Sequence, residues 1–147
     1  MSDDSFEPRS DHTDGIFAHL GLKIEETGEP GHILGRLELA PHHLNRMGNV
    51  HGGVLATMID AAACVAGLTR EPGEAPRFAI TVSLSIQFVS GARSGELIVD
   101  GRQLSAGRRT YTAEAKIRDS QGNLVANGIG TFQWRPGSEP SARGQHE

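Results

Sequence analysis

Apolar and polar positions along the chain fall into a few short patterns. "GHILGRLELA" (31–40) alternates after Ile33, with Leu37 and Leu39 inward and Arg36 and Glu38 outward, a strand that Pro41 closes. From His51 to Arg70 there is no breaker after two opening glycines, and the content is almost wholly Ala, Val, Leu, Met and Ile. That segment predicts one long, nearly all-apolar helix, ended by "EPGEAP". In "FAITVSLSIQFV" the residues Ile80, Val82, Leu84, Ile86 and Phe88 alternate with Thr81, Ser83, Ser85 and Gln87, which predicts a strand with one buried face. Three more extended runs, "ELIVDGRQL", "RTYTAEAKIR" and "LVANGIGTFQW", follow across the turn-rich pieces "SGARSG", "SAG" and "DSQGN", and short connections predict antiparallel neighbours. "DGIFAHLGL" reads as one short helix near the start. A helix that is apolar on nearly every side needs a sheet to wrap it. The expected class is therefore α+β, a curved antiparallel sheet around one central helix.

At 147 residues the chain fits a single domain with one core. The polar ends, residues 1–13 and 135–147, are expected to be mobile tails around a folded part at 14–134. A net charge of -4 provides no basic field for nucleic acid. One cysteine, Cys64, can form neither an internal disulfide nor a multi-thiolate metal site. The acidic start has no apolar segment behind it, and the longest apolar stretch, Val54 to Leu68, is too short to span a bilayer and carries Asp60. These features read as a reduced, cytoplasmic protein without membrane or nucleic-acid partners.

The chemistry concentrates in "NRMGNVHGGVLATMID" (45–60), where a single carboxylate interrupts the apolar helix. One and two turns around Asp60 lie Gly53, Ala56, Thr57, Ala63, Cys64 and Gly67, all small, so the carboxylate sits on a stripe that leaves space above it for a ligand or for a second helix. A charge in that setting costs several kcal/mol unless held by partners, so Asp60 is either a structural pair or a functional base or nucleophile. Gly52 and Gly53 open the helix, where backbone N–H groups lack internal partners and can stabilise an oxyanion. His51 sits where a capping or positioning residue belongs. His32, His42, His43 and His51 have no metal-ligand spacing, so no metal is expected. Cys64, with no base on its helix, reads as a small core residue, and no G-x-S-x-G elbow is present.

These residues resemble the hotdog-fold acyl-CoA thioesterases, in the branch like the phenylacetic-acid-degradation thioesterase, from about Gly15 to Trp134. The resemblance rests on N-x-x-G-x-x-H-G-G with a following Asp, here Asn45, Gly48, His51, Gly52, Gly53 and Asp60, and on an echo in "SIQFVSGARSGEL" and "GRRTYTAEAKIRDSQGNLVANGIGTF". It implies a hotdog fold, with Asp60 as catalytic nucleophile or general base and the Gly52 amide as the donor polarising a thioester carbonyl. Asn45 would orient water or substrate, His51 would buttress the loop, and Thr81 falls where relatives often have Ser or Thr contacting the water. It also implies a dimer with its two sheets joined, often paired again into tetramers, in which Asn45 and Gly52 of one subunit face Asp60 of its neighbour. Two positions depart from the pattern: Gly91 where Pro is common, in the coenzyme-contacting loop, and Ala61 where polar residues are frequent, at the acyl pocket.

The expected reaction is hydrolysis of a small or aromatic acyl-CoA to free acid and CoA, with no cofactor, since CoA is part of the substrate. Arg93, Arg108 and Arg109 are the candidates for the CoA diphosphate. The rival readings are a hotdog hydratase or dehydratase, working by proton transfer through a histidine, and a non-catalytic acyl-CoA-binding module.

Overall fold

The computed structural model describes residues 15–140. In chain order it contains α1 (Ile16–Leu20), β1 (Lys23–Glu26), β2 (His32–Glu38), a 3-10 turn (Pro41–His43), α2 (Gly52–Ala66), β3 (Ala79–Phe88), β4 (Glu96–Ala106), β5 (Thr110–Arg118) and β6 (Leu124–Trp134). The expected N-terminal tail and residues 141–147 lie outside the described residues. Just past β6, Ser138 is buried and its hydroxyl accepts from the Phe78 N–H at 3.1 Å.

All six strands form one antiparallel sheet in the order β1-β2-β4-β5-β6-β3. The inward positions of β2, β4, β5 and β6 (Ile33, Leu37, Leu97, Val99, Ile117, Phe132) are fully buried against Met58, Ile59 and Ala62 of α2. Gly101 and Gly128 let the helix come that close, since a Cβ on Gly101 would stand 2.5 Å from the Ala62 carbonyl oxygen. The hotdog arrangement expected from the sequence is present, and among the described residues no helix is long and apolar enough to cross a membrane.

Four details differ from the sequence pattern. The strand β1, polar at three of its four positions in "KIEE", is held by pairing with β2 rather than by any apolar period. The helix stops at Ala66 instead of running to Arg70, because the Tyr111 ring lies where a Cβ of Gly67 would be, 2.1 Å away, and the Tyr111 hydroxyl takes the Cys64 carbonyl at 2.6 Å. The "SGARSG" connection is not a hairpin. Both sides of β4 are occupied by β2 and β5, so the chain leaves β3 at one sheet edge and crosses to β4, its loop pinned where the Val50 N–H donates to the Ala92 carbonyl at 2.7 Å.

The fourth difference concerns β3, whose apolar face is not buried within one chain: Ile80, Val82 and Phe88 are 65%, 56% and 58% exposed. A bulge lies between Thr81 and Ser83, with Thr81 opposite Phe132 and Leu84 opposite Gly130. The extra residue, Val82, reverses the alternation, so Thr81 rather than Ile80 shares the helix-facing side with Leu84, Ile86 and Phe88.

Candidate active site

Asp60 sits on the one stripe of α2 that the sheet leaves uncovered, the half-buried series Ala56, Thr57, Asp60, Cys64 and Leu68. The β3 bulge aims Thr81 at this stripe, and the Thr81 hydroxyl donates to Asp60 Oδ1 at 2.6 Å. That bond fixes one carboxylate oxygen and leaves the other facing a cleft of about 310 Å³. Around Asp60, Thr57 and Thr81 the cleft walls are apolar: Phe17 from α1, Leu68 beyond α2 and Phe78 before β3. A larger cleft of about 610 Å³ lies at the far end of α2, among Glu26, Glu29, Thr69, Arg70, Glu74 and Arg77. It contains none of the motif residues, and its arginines are already held by Glu74, Arg77 at 3.0 Å and Arg70 through the Glu74 carbonyl.

Cys64 lines the smaller cleft beside Asp60 but is not a nucleophile in waiting. Burial pushes its thiol up to about 11, the Tyr111 hydroxyl at 3.6 Å pulls it partly back, and the nearby Asp60 charge raises it further. The thiol form therefore dominates near neutral pH. Burial, reinforced by Cys64 and Asp60, likewise holds the Tyr111 phenol well above its usual range.

The start of α2 has a different character. His51 is the N-cap, and its Nδ1 accepts from the Gly53 N–H at 2.8 Å, which assigns the Nε2–H tautomer to a neutral ring. The His51 carbonyl takes the N–H groups of Val54 and Leu55. The Gly52 N–H has no acceptor among the described residues, so it is the amide of this turn left for a ligand. The Phe88 ring stands against it, 3.5 Å from the place a Gly52 Cβ would occupy. Upstream, Asn45 Oδ1 accepts from the Met47 and Asn49 N–H groups at 2.9 and 3.2 Å, which shapes the loop, and the Asn45 side-chain NH₂ has no partner among the described residues.

The structure thus joins Asp60 to Thr81, while Asn45 lies in the loop, closed by the Leu44–Val50 bridge, that leads into His51 and Gly52. It separates the three arginines. Arg93 lies by the Asn45 loop, its guanidinium 3.3 Å from the Cβ position of Gly48. Arg108 and Arg109 lie in the β4–β5 turn at the opposite end of α2, where the Arg109 carbonyl accepts from the Trp134 N–H. The histidines are dispersed: His43 is buried between the Leu20 carbonyl and the Ala40 N–H, and His32 bonds Asp100 at 3.0 Å. Arg46, exposed in the turn closed by the Gly48 N–H on the Asn45 carbonyl, went unnoticed because a lone arginine in a loop carries no periodic signal.

A family model described as "Thioesterase superfamily" matches residues 47–126. The chain belongs to the thioesterase superfamily. Among its relatives, human acyl-coenzyme A thioesterase 13 is 30% identical over 111 residues, covering 74% of this chain and 77% of that protein. Solved structures agree with the fold. A conserved protein from Pseudomonas aeruginosa has a TM-score of 0.75 at 31% identity, covering 83% and 94% of the two chains. A variant of the phenylacetic acid degradation protein PaaI from Thermus thermophilus has a TM-score of 0.71 at 27% identity, covering 82% and 98%. This thioesterase accordingly has Gly52 and Asp60 on one helix, an arrangement that bears on how they can meet.

Proposed function

We propose that the protein hydrolyses a small or aromatic acyl-CoA to free acid and CoA, at a site assembled from two copies of the chain. Asp60 activates water or takes the acyl group itself, and the Gly52 amide of the other copy stabilises the oxyanion. The observation that carries this reading is the pairing of the cleft-facing Asp60–Thr81 bond with an unoccupied amide at the start of the same helix. The apolar walls and volume of the Asp60 cleft suit an acyl group of modest size.

Helix geometry supports the need for two copies. Gly52 and Asp60 are eight residues apart in α2, about 12 Å along its axis, whereas oxyanion donor and nucleophile must both reach one carbonyl carbon. The strand β3 offers the means, since among the described residues it pairs only with β6 and its other edge has no strand beside it. Phe88 at one end of β3 touches Gly52, and Thr81 at the other end touches Asp60. An antiparallel two-fold pairing of β3 with β3 of a second copy therefore sets the Gly52 end of each against the Asp60 end of the other. Asn45, in the loop that leads into α2, then contributes its side-chain NH₂ to water or substrate, and His51 holds the turn. A dimer is the minimum, and a dimer of dimers in the cytoplasm is the full assembly proposed.

The test is thiol release from a panel of short, medium and aromatic acyl-CoAs, with wild type beside Asp60→Asn and folding checked on both. Release by the wild type that disappears in the variant supports the reading and ranks the acyl groups. No release from any thioester refutes it.

A further inference from the structure

The larger cleft, of about 610 Å³ at the C-terminal end of α2, holds none of the residues of the proposed reaction. Its walls come from the β1–β2 turn, the segment between α2 and β3, and the end of β6. The volume is that of an ordinary small-molecule site. Most of its polar groups are satisfied within the chain. The Thr69 hydroxyl accepts from the Gly31 N–H at 2.7 Å and donates to the Ala66 carbonyl at 3.4 Å. Arg77 donates to the Thr69 carbonyl at 3.3 Å and to the Glu74 carboxylate at 3.0 Å, and Arg70 donates to the Glu74 carbonyl.

One group is not satisfied. Trp134 lines the cleft and is 2% exposed, yet its indole Nε1–H has no acceptor among the described residues. An indole nitrogen can only donate, and a buried donor without an acceptor costs free energy that an arriving oxygen recovers. The neighbouring Tyr111 does not supply that oxygen, since its hydroxyl is engaged with the Cys64 carbonyl.

The charge of the lining decides what kind of molecule brings the oxygen. Four carboxylates, Glu26, Glu29, Glu71 and Glu74, stand against Arg70 and Arg77. Glu74 is engaged by Arg77, and Glu29 lies 3.8 Å from Arg102 and 3.4 Å from His32. Glu26 and Glu71 are exposed, and neither carboxylate has an ion pair or a hydrogen bond among the described residues. A phosphate or carboxylate ligand would meet this excess of negative charge, whereas a cation is attracted by it.

We propose that this cleft binds a small organic cation carrying a carbonyl or hydroxyl oxygen, with the oxygen on the Trp134 indole N–H and the cation held by the free carboxylates of Glu26 and Glu71. The site shares no lining residue with the Asp60 cleft and does not depend on the hydrolase reading.

Trp134 is the only tryptophan of the chain, so its fluorescence reports the site directly. The full-length protein is titrated at constant ionic strength with lysinamide, which has two amines and an amide carbonyl. Parallel titrations use cadaverine, a diamine without oxygen, and N-acetylglutamate, an anion with an amide carbonyl. Lysinamide is expected to shift the emission saturably, with cadaverine about fivefold weaker and N-acetylglutamate without effect. Glu26→Gln and Glu71→Gln, both at exposed positions, should each weaken lysinamide binding about threefold. In Trp134→Phe, followed by calorimetry, the preference for lysinamide over cadaverine should disappear, and a preference that survives contradicts the role given to the indole. No saturable response to lysinamide, an equal affinity for cadaverine or N-acetylglutamate, or an affinity unchanged in both glutamate variants overturns the proposal.

Discussion

The two ends of α2 are built from the same kinds of residue to opposite effect. Each has a glycine and an aromatic ring beside it. At the C-terminal end the Tyr111 ring fills the space of a Gly67 side chain, its hydroxyl donates to the Cys64 carbonyl, and Phe132 stacks on it at 5.2 Å with Trp134 tilted against it at 4.4 Å. At the N-terminal end the Gly52 amide has no partner among the described residues, and Phe88 beside it is 58% exposed. A helix end whose polar groups are satisfied within the chain contributes to stability. One whose donors stay free costs stability in exchange for a place to put negative charge, which is what an oxyanion brings.

That contrast makes separable predictions, because changes in the open half should alter turnover while changes at the closed end should alter stability. The largest effect is expected from Asp60→Asn, a loss of hydrolysis of at least about a hundredfold with the melting temperature nearly unchanged. Gly67→Ala pushes a methyl into a buried ring and should cost about 3 kcal/mol or more in denaturant titrations, with the activity of the folded fraction retained. Replacing Thr81 by Val removes the hydrogen bond that fixes Asp60, and steady-state kinetics should show about a tenfold fall in kcat. Tyr111→Phe removes one of the two donors to the Cys64 carbonyl, leaving the Gly67 N–H at 3.1 Å, and should lower stability by about 1 kcal/mol, or roughly 2–4 °C in melting temperature.

A further effect is a dependence on alkaline pH. An ordinary thiol gives up its proton near 9.0, but the folded Cys64 keeps it to about 11, so the folded state holds the extra proton between those values. The stability contributed by this group is complete below pH 9.0 and is lost as the pH rises toward 11. Denaturation curves taken across that range should show a decline that is smaller in Cys64→Ala. An identical decline in both proteins would place the alkaline sensitivity elsewhere.

Much of this was legible in the sequence. The apolar run of α2, the alternation in β2 and the turns around β4, β5 and β6 announce their elements because each signal is local. The glycines before Asp60 mark the helix start in the same way, and His51 caps it as its position suggests. Non-local contacts were not legible. The strict alternation of Ile80 through Phe88 concealed the Val82 bulge, and only pairing with β6 shows that Thr81 turns toward the helix. The end of α2 depends on Tyr111, forty-five residues beyond Ala66 and invisible to a helix period. Arg108 and Arg109 read as a basic pair, and only the fold shows that they lie in the β4–β5 turn at the C-terminal end of α2 while Arg93 lies over Gly48 near its start.

The central claim is that Asp60 of one copy works with Gly52 of another. It is tested most directly by mixing two inactive variants, Asp60→Asn and a Gly52→Val that blocks approach to the amide, and isolating the hybrid by orthogonal tags. In a two-fold dimer the hybrid has one site carrying both changes and one carrying neither, so it should recover about half the wild-type activity per dimer. A stable hybrid as inactive as its parents would mean that both residues act within one chain and would contradict the account.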